Sequence, residues 1–213
     1  MSDLVFYTHP MSRGRIIRWM LEEVGQPYTT ELLGYESSMK GPAYLAVNPM
    51  GKVPAIKHGD TVVTECGAIC AYLADAFPQA NLAPPTGSRL RGPYYRWLFF
   101  AAGPVEQAVG LKAMGVEVPA ERERMLGCGS MDHVLDALEG ALDGRDHLAG
   151  DSFTAADLYV ASHLGWGMNF GTIEKRPTFE RYVALHHARP AAKRAVEIDD
   201  RIIAEQAQPQ PAG

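Results

Sequence analysis

The chain has 213 residues, 46% hydrophobic and 21% charged, which suits a soluble globular protein of one large or two small domains. Lys plus Arg is 20 and Asp plus Glu is 25, so the net charge is −5, which argues against nucleic acid or an anionic membrane as the main partner. The cysteines (Cys66, Cys70, Cys128) and the seven histidines form no metal-ligand or C-x-x-C spacing, so no metal is expected and a reducing cytoplasm is the expected compartment.

Leu4 to Tyr7 reads as a short buried strand, broken by His9-Pro10. No basic region followed by an apolar run precedes it, so no signal peptide is expected. From about Ser12 to Val24, residues Ile16, Ile17, Met20, Leu21 and Val24 recur at helical spacing, and Gly25-Gln26-Pro27 ends that helix. Its basic cluster, Arg13, Arg15 and Arg18, reads as a local anion site or a solvated face. Tyr28 to Leu33 gives a second strand. Val53–Lys57 and Thr61–Val63 form a hairpin through His58-Gly59-Asp60. A helix then starts with Thr64 as cap and buries Ala68, Ile69, Tyr72, Leu73 and Ala76. The order β-α-β, then β-β-α, is that of a thioredoxin-like α/β domain over residues 1–80.

Residues 77–89 form a linker rich in Pro, Ala and Gly. Beyond it the pattern is all-α, with helices over 91–109, 121–142, 178–185 and 190–203, so an all-helical C-terminal domain is expected over 88–205. Phe153-Thr154-Ala155-Ala156-Asp157-Leu158 is a capping box with a hydrophobic staple, which makes Asp157 structural. The apolar run 97–105 is interrupted by Gly103 and Pro104 and is too short to span a bilayer. The polar, proline-rich tail 206–213 is expected to fray.

Two runs carry the chemistry. In Asn48-Pro49-Met50-Gly51-Lys52-Val53-Pro54, a proline enters a strand, which it can do only at a start or an edge. A cis Val53-Pro54 bond would leave the Val53 N–H and C=O able to pair with an extended ligand. In Thr64-Glu65-Cys66-Gly67-Ala68-Ile69, a helix opens with an acid beside free N–H groups, a seat for a carboxylate. Together they describe a site for a short peptide bearing an amine and carboxylates.

At this point the chain resembles the cytosolic glutathione S-transferase superfamily, across about residues 3–200. The resemblance rests on Asn48-Pro49-x-Gly51-Lys52-Val53-Pro54, Glu65-Cys66-x-Ala68-Ile69-x-x-Tyr72-Leu73 and Phe153-Thr154-x-Ala156-Asp157. It implies a homodimer with glutathione as co-substrate, no bound cofactor, and a small apolar electrophile as second substrate. By the same resemblance Lys52 reaches the glycyl end, the Val53 backbone before Pro54 pairs with the cysteinyl moiety, Glu65 takes the γ-glutamyl amine, and Cys66 stands at the γ-glutamyl carboxylate. The family usually has Ser at this last position, and a thiol is a weaker donor.

The resemblance also implies a thiol-activating residue after the first strand or at the start of the first helix, here Tyr7-Thr8-His9-Pro10-Met11-Ser12-Arg13, with Ser12 the first candidate and Tyr7 and Thr8 its competitors. The bland alternatives are Ser12 as a helix cap, Tyr7 as core, and Cys66 as a small buried residue. Phe100, Met114 and Trp166 are the expected lining of the second-substrate pocket. Glu106 is a buried-acid candidate near a dimer seam. The competing functions are a non-catalytic glutathione-binding or regulatory relative of the same fold, and a glutathione-dependent reductase or peroxidase.

Overall fold

The computed structural model describes residues 3–207; the expected fraying of 208–213 lies outside them. The chain divides into two compact units, Met1–Ala80 with Arg189–Gly213, and Asn81–Ala188. In the first, β1 (Leu4–Thr8) runs into α1 (Gly14–Val24) and back through β2 (Thr29–Leu32), parallel to β1. A 3-10 turn (Ser38–Lys40) and the short α2 (Pro42–Leu45) precede β3 (Ala55–His58), β4 (Thr61–Thr64) and α3 (Cys66–Ala76). The strand order is β2-β1-β3-β4, with β3 antiparallel to both neighbours. This is the thioredoxin-like arrangement that the sequence predicts.

Strand alternation sends Leu4, Phe6 and Thr8 to one side, where they are buried, and leaves Val5 and Tyr7 half-buried on the other. Ile17, Met20 and Leu21 of α1 and Ile69 and Leu73 of α3 are almost fully buried, so the two helices close a core with Phe6 and Ile56. Tyr7 belongs to a second cluster, with Met39, Tyr44 and Ala55.

The helix α9 (Pro190–Gln206) completes this unit by lying along α1. The expectation of one helical domain over 88–205 places it elsewhere. The physical reason is charge. Arg18, 1% exposed, donates from Nε to Asp199 Oδ1 at 3.2 Å and from Nη1 to Tyr28 Oη (3.0 Å) and Thr30 Oγ1 (2.8 Å). Its guanidinium lies 4.9 Å from the centre of the Phe6 ring. Arg189 grips Glu23 through Nε and Nη2 at 2.6 and 2.8 Å, and Arg15 pairs with Asp200. Arg15 and Arg18 are therefore fastenings for α9, neither an anion site nor a solvated face.

The second unit is helical, in agreement with the predicted class. The expected helix over 91–109 is α4 (Arg91–Phe100), a π-helical turn (Ala101–Val105) and α5 (Glu106–Ala113). Pro104 lies inside that turn; it has no N–H to give the ladder, so the helix widens there. The expected helix over 121–142 is shorter. Residues Ala120–Met125 form a 3-10 turn, and α6 (Met131–Leu142) starts where the Ser130 hydroxyl accepts from the His133 N–H. Then follow α7 (Ala155–Phe170) and α8 (Pro177–His187). The capping box at Thr154 is present, and Asp157 is fully buried. Among the described residues no helix is long and apolar enough to cross a membrane.

Candidate functional site

Residues 48–54 form a loop held from below. The Tyr44 hydroxyl and the Asn48 side-chain amide both donate to the Lys52 carbonyl, at 2.6 and 2.8 Å. Asn48 Oδ1 accepts from Met50 N–H, and Lys40 Nζ donates to the Gly51 carbonyl at 2.7 Å. Gly51 has φ 56°, and a Cβ there would come within 3.0 Å of the Met39 carbonyl, so glycine is required twice over. Burial pushes the Tyr44 phenol up to about 12, against the Asn48 hydrogen bond that lowers it, with the neighbouring Tyr7 adding to the rise. Tyr44 therefore stays a neutral donor. The Val53-Pro54 peptide is cis, and β3 begins only at Ala55, so Val53 lies outside the ladder. Lys52 is exposed and Pro54 buried.

The start of α3 differs from the expected Thr64 cap. Its first helical residue is Cys66, and Glu65 occupies the preceding position with φ 67° and ψ 122°. That region is sparsely populated for a residue with a side chain. The Glu65 side chain is exposed and makes no capping bond. Cys66 is 7% exposed, and its Sγ donates to the Arg13 carbonyl at 3.8 Å. This contact brings the α3 start and the loop after β1 together. Cys70, one turn further, is fully buried, and burial pushes its thiol well up, with Cys66 adding to the rise.

The loop after β1 does not begin the helix at Ser12, as the sequence predicts; α1 starts at Gly14. Ser12 instead closes a turn. Its N–H and its hydroxyl both donate to the His9 carbonyl, at 3.1 and 2.7 Å, and its Oγ accepts from Gly14 N–H at 2.9 Å. A Cβ on Gly14 would sit 1.9 Å from Thr8 Oγ1, so glycine lets the buried Thr8 approach the helix start. Tyr7 packs its ring 5.5 Å from that of Tyr44, among the second apolar cluster.

Sequence reasoning passed over two side chains here. His9 reads only as a strand breaker beside Pro10, yet its Nδ1 accepts from Met11 N–H at 3.1 Å. Tyr35 stands in a Gly- and Ser-bearing loop with no periodicity to mark it, yet its hydroxyl donates to the Met11 carbonyl at 2.9 Å. A His two residues before a turn N–H is the one signal that could have been noticed.

In the helical unit, Phe100 is half-buried, with its ring 5.2 Å from that of Trp97. Met114 is 71% exposed at the end of α5, so it encloses nothing by itself. Trp166 is half-buried on α7, 6.3 Å from the Phe170 ring. A small apolar cavity of about 150 Å³ also lies in this unit, against Leu111, Val116, Val118, Cys128 and Met131. Glu106 is half-buried beside the π-helical turn, its Oε1 3.6 Å from His163 Nε2. Among the described residues, the donor atoms of His147, Asp157 and His186 lie within 4.8 Å of one another. Asp157, however, already accepts four hydrogen bonds, from Leu148 N–H and Tyr182 Oη on one oxygen and from Thr154 N–H and Oγ1 on the other. Those bonds fill its lone pairs, so it serves the fold.

Comparison with known proteins fits this geometry. Residues 11–76 match the model of the glutathione S-transferase N-terminal domain, and residues 121–190 match that of the C-terminal domain. The glutathione S-transferase-like protein gedE of Aspergillus terreus is 36% identical over 171 residues, covering 72% of this chain and 73% of that protein. The chain belongs to the glutathione S-transferase family. Two solved structures extend the likeness over nearly the whole length. A glutathione transferase from Methylococcus capsulatus superposes with TM-score 0.78 at 29% identity, covering 93% of this chain and 99% of that one. A sphingomonad glutathione S-transferase complexed with glutathione gives TM-score 0.75 at 29% identity, covering 92% and 98%. Within the glutathione S-transferase frame, the cis-proline loop, the α3 start and the Ser12 turn all lie in the thioredoxin-like unit.

Proposed function

We propose that this chain is a glutathione transferase that joins the glutathione thiolate to a small apolar electrophile. The observation that carries the reading is the contact between Cys66 Sγ and the Arg13 carbonyl, which brings the start of α3, with the N–H groups that open it, beside the Ser12 turn. The cis Val53-Pro54 loop, in the same unit, supplies the third element. The solved sphingomonad relative, complexed with glutathione, supports the choice of peptide.

In this reading the backbone of Val53 pairs with the cysteinyl moiety, and exposed Lys52 meets the glycyl end. Glu65 receives the γ-glutamyl amine. Its strained backbone, of a kind that costs about 1–3 kcal/mol, is kept because it aims that carboxylate. The γ-glutamyl carboxylate sits on the N–H groups opening α3, where the helix dipole favours an anion. Cys66 contributes a backbone donor and only a weak side-chain one. The Ser12 hydroxyl donates to sulfur and favours the thiolate; the thiol proton leaves to solvent. The thiolate pair then forms the C–S bond, and the leaving group departs with the bonding pair of the electrophile. Phe100, Met114 and Trp166 remain the proposed apolar lining for that electrophile, and the working form is a homodimer in the cytoplasm.

Calorimetric titration with glutathione tests the reading: saturable binding, lost on Glu65→Ala, is expected, and absence of binding contradicts it. A second reading, a glutathione-dependent redox protein, is favoured by Cys66 alone. A mixed disulfide between Cys66 and glutathione under mild oxidation, found by mass spectrometry, is what that reading requires.

A further inference from the structure

The turn that carries Ser12 is fastened by an aromatic pair. The His9 carbonyl takes both the N–H and the hydroxyl of Ser12, and its ring Nδ1 takes the Met11 N–H. The His9 ring lies 4.4 Å from the Tyr35 ring, tilted by 43°, while the Tyr35 hydroxyl holds the Met11 carbonyl. Every residue of the turn except Pro10 is thus bonded to, or part of, this pair.

The protonation of His9 follows from its partners. Nδ1 faces an N–H, so it must keep its lone pair, and the ring proton belongs on Nε2. Burial lowers the pKa of the ring, which favours the same neutral form. Tyr35, from the segment after β2, packs against it, and the charge of Arg13 at the entry to α1 acts on that Tyr35.

Ser12 is held so that only its hydrogen needs to move. Its Oγ accepts from Gly14 N–H at 2.9 Å and donates to the His9 carbonyl at 2.7 Å. Swinging the O–H from that carbonyl toward a sulfur keeps the Gly14 bond and shifts no heavy atom. A donor fixed in advance costs no reorganisation when charge develops. The geometry points to His9 and Tyr35 as positioning residues for thiol activation, a clamp that keeps Ser12 Oγ on the Gly14 N–H while its O–H exchanges the His9 carbonyl for the glutathione sulfur. The inference rests on Ser12 as the thiol's donor.

The test is the pKa of the glutathione thiol bound to the full chain, followed through thiolate absorbance across pH at saturating glutathione. Ser12→Ala is expected to raise it by at least about one unit, tenfold in thiolate. His9→Leu is expected to raise it comparably, with the Kd for glutathione changed by less than about twofold. His9→Asn, whose side-chain carbonyl accepts where Nδ1 does, is expected to return most of the shift. In the Ser12→Ala background His9→Leu is expected to add nothing, because a residue acting through Ser12 has nothing left to position. A His9→Leu shift that persists without Ser12, or no shift at all beside a clear Ser12→Ala effect, overturns the clamp and leaves the Ser12 assignment intact. A silent Ser12→Ala removes that assignment and the clamp together. Tyr35, 44% exposed, offers the same test through Tyr35→Leu if His9→Leu does not fold.

Discussion

At Ser12 the hydroxyl donates to the His9 carbonyl in the resting chain, and in the proposed function it exchanges that acceptor for the glutathione thiolate. A thiolate carries full charge and a carbonyl does not, so the exchange favours the sulfur. Tyr7 has no such position: alternation along β1 turns it into the cluster of Met39, Tyr44 and Ala55. Ser12→Ala is therefore expected to lower turnover on the order of 10²–10³-fold, about 2.7–4 kcal/mol. Tyr7→Phe is expected to lower it by less than about tenfold. Steady-state rates with a chloronitroarene decide between them, and a crippled Tyr7→Phe beside a normal Ser12→Ala would reverse the assignment. Cys66 poses the complementary question at the proposed carboxylate seat. A hydroxyl there adds a charge-assisted bond that a thiol supplies poorly, but the helix N–H groups already share the load. Cys66→Ser is expected to tighten glutathione binding about tenfold, ~1.4 kcal/mol, by calorimetry. Weaker binding would show the thiol to be matched to its site.

At the scale of elements, what the sequence disclosed depended on how local each signal was. The cis-proline loop, the hairpin and the Thr154 capping box were legible because each is decided by neighbours within a few residues. Helix starts were less so. Ser12 spends its side chain on a turn and Ser130 spends its own on a cap, two uses of the same residue type that only the third dimension separates. The place of α9 was not legible at all. Its fastening, Arg18 to Asp199, spans 181 residues. That pair is almost fully buried, so removing one partner strands the other charge. Asp199→Ala is expected to destabilise the chain by about 3–5 kcal/mol, read from the urea midpoint. The pH dependence has a definite sign. Burial raises the Asp199 carboxyl above its ordinary 3.8 despite Arg18, so the folded chain takes up that proton at higher pH than the unfolded one. This group alone therefore adds stability as pH falls through its folded value toward 3.8, and since asparagine does not titrate, the deficit of an Asp199→Asn variant is expected to widen as that window is crossed from neutral pH downward. A deficit that is the same at neutral pH and below 3.8 would contradict a shifted carboxyl.

For the whole molecule, the glutathione subsites proposed here draw on one compact unit, while the proposed electrophile contacts belong to the other. The first kind could be proposed from the sequence residue by residue, because glutathione presents fixed chemistry, an amine, two carboxylates and a thiol, and calls for fixed residue types. The second kind has no such fixed chemistry to call for it, since Phe100, Met114 and Trp166 are apolar side chains like those of any helical core, and one of them is largely exposed. A twofold homodimer is expected in solution, and sedimentation that finds only monomer at micromolar concentration would contradict it. The central claim is glutathione conjugation, and product analysis tests it most directly. Incubation of the purified chain with glutathione and a chloronitroarene is expected to give the thioether and chloride at a rate that saturates with glutathione and far exceeds the enzyme-free rate. Formation of thioether only at the enzyme-free rate, at glutathione concentrations that calorimetry shows to be saturating, would contradict it.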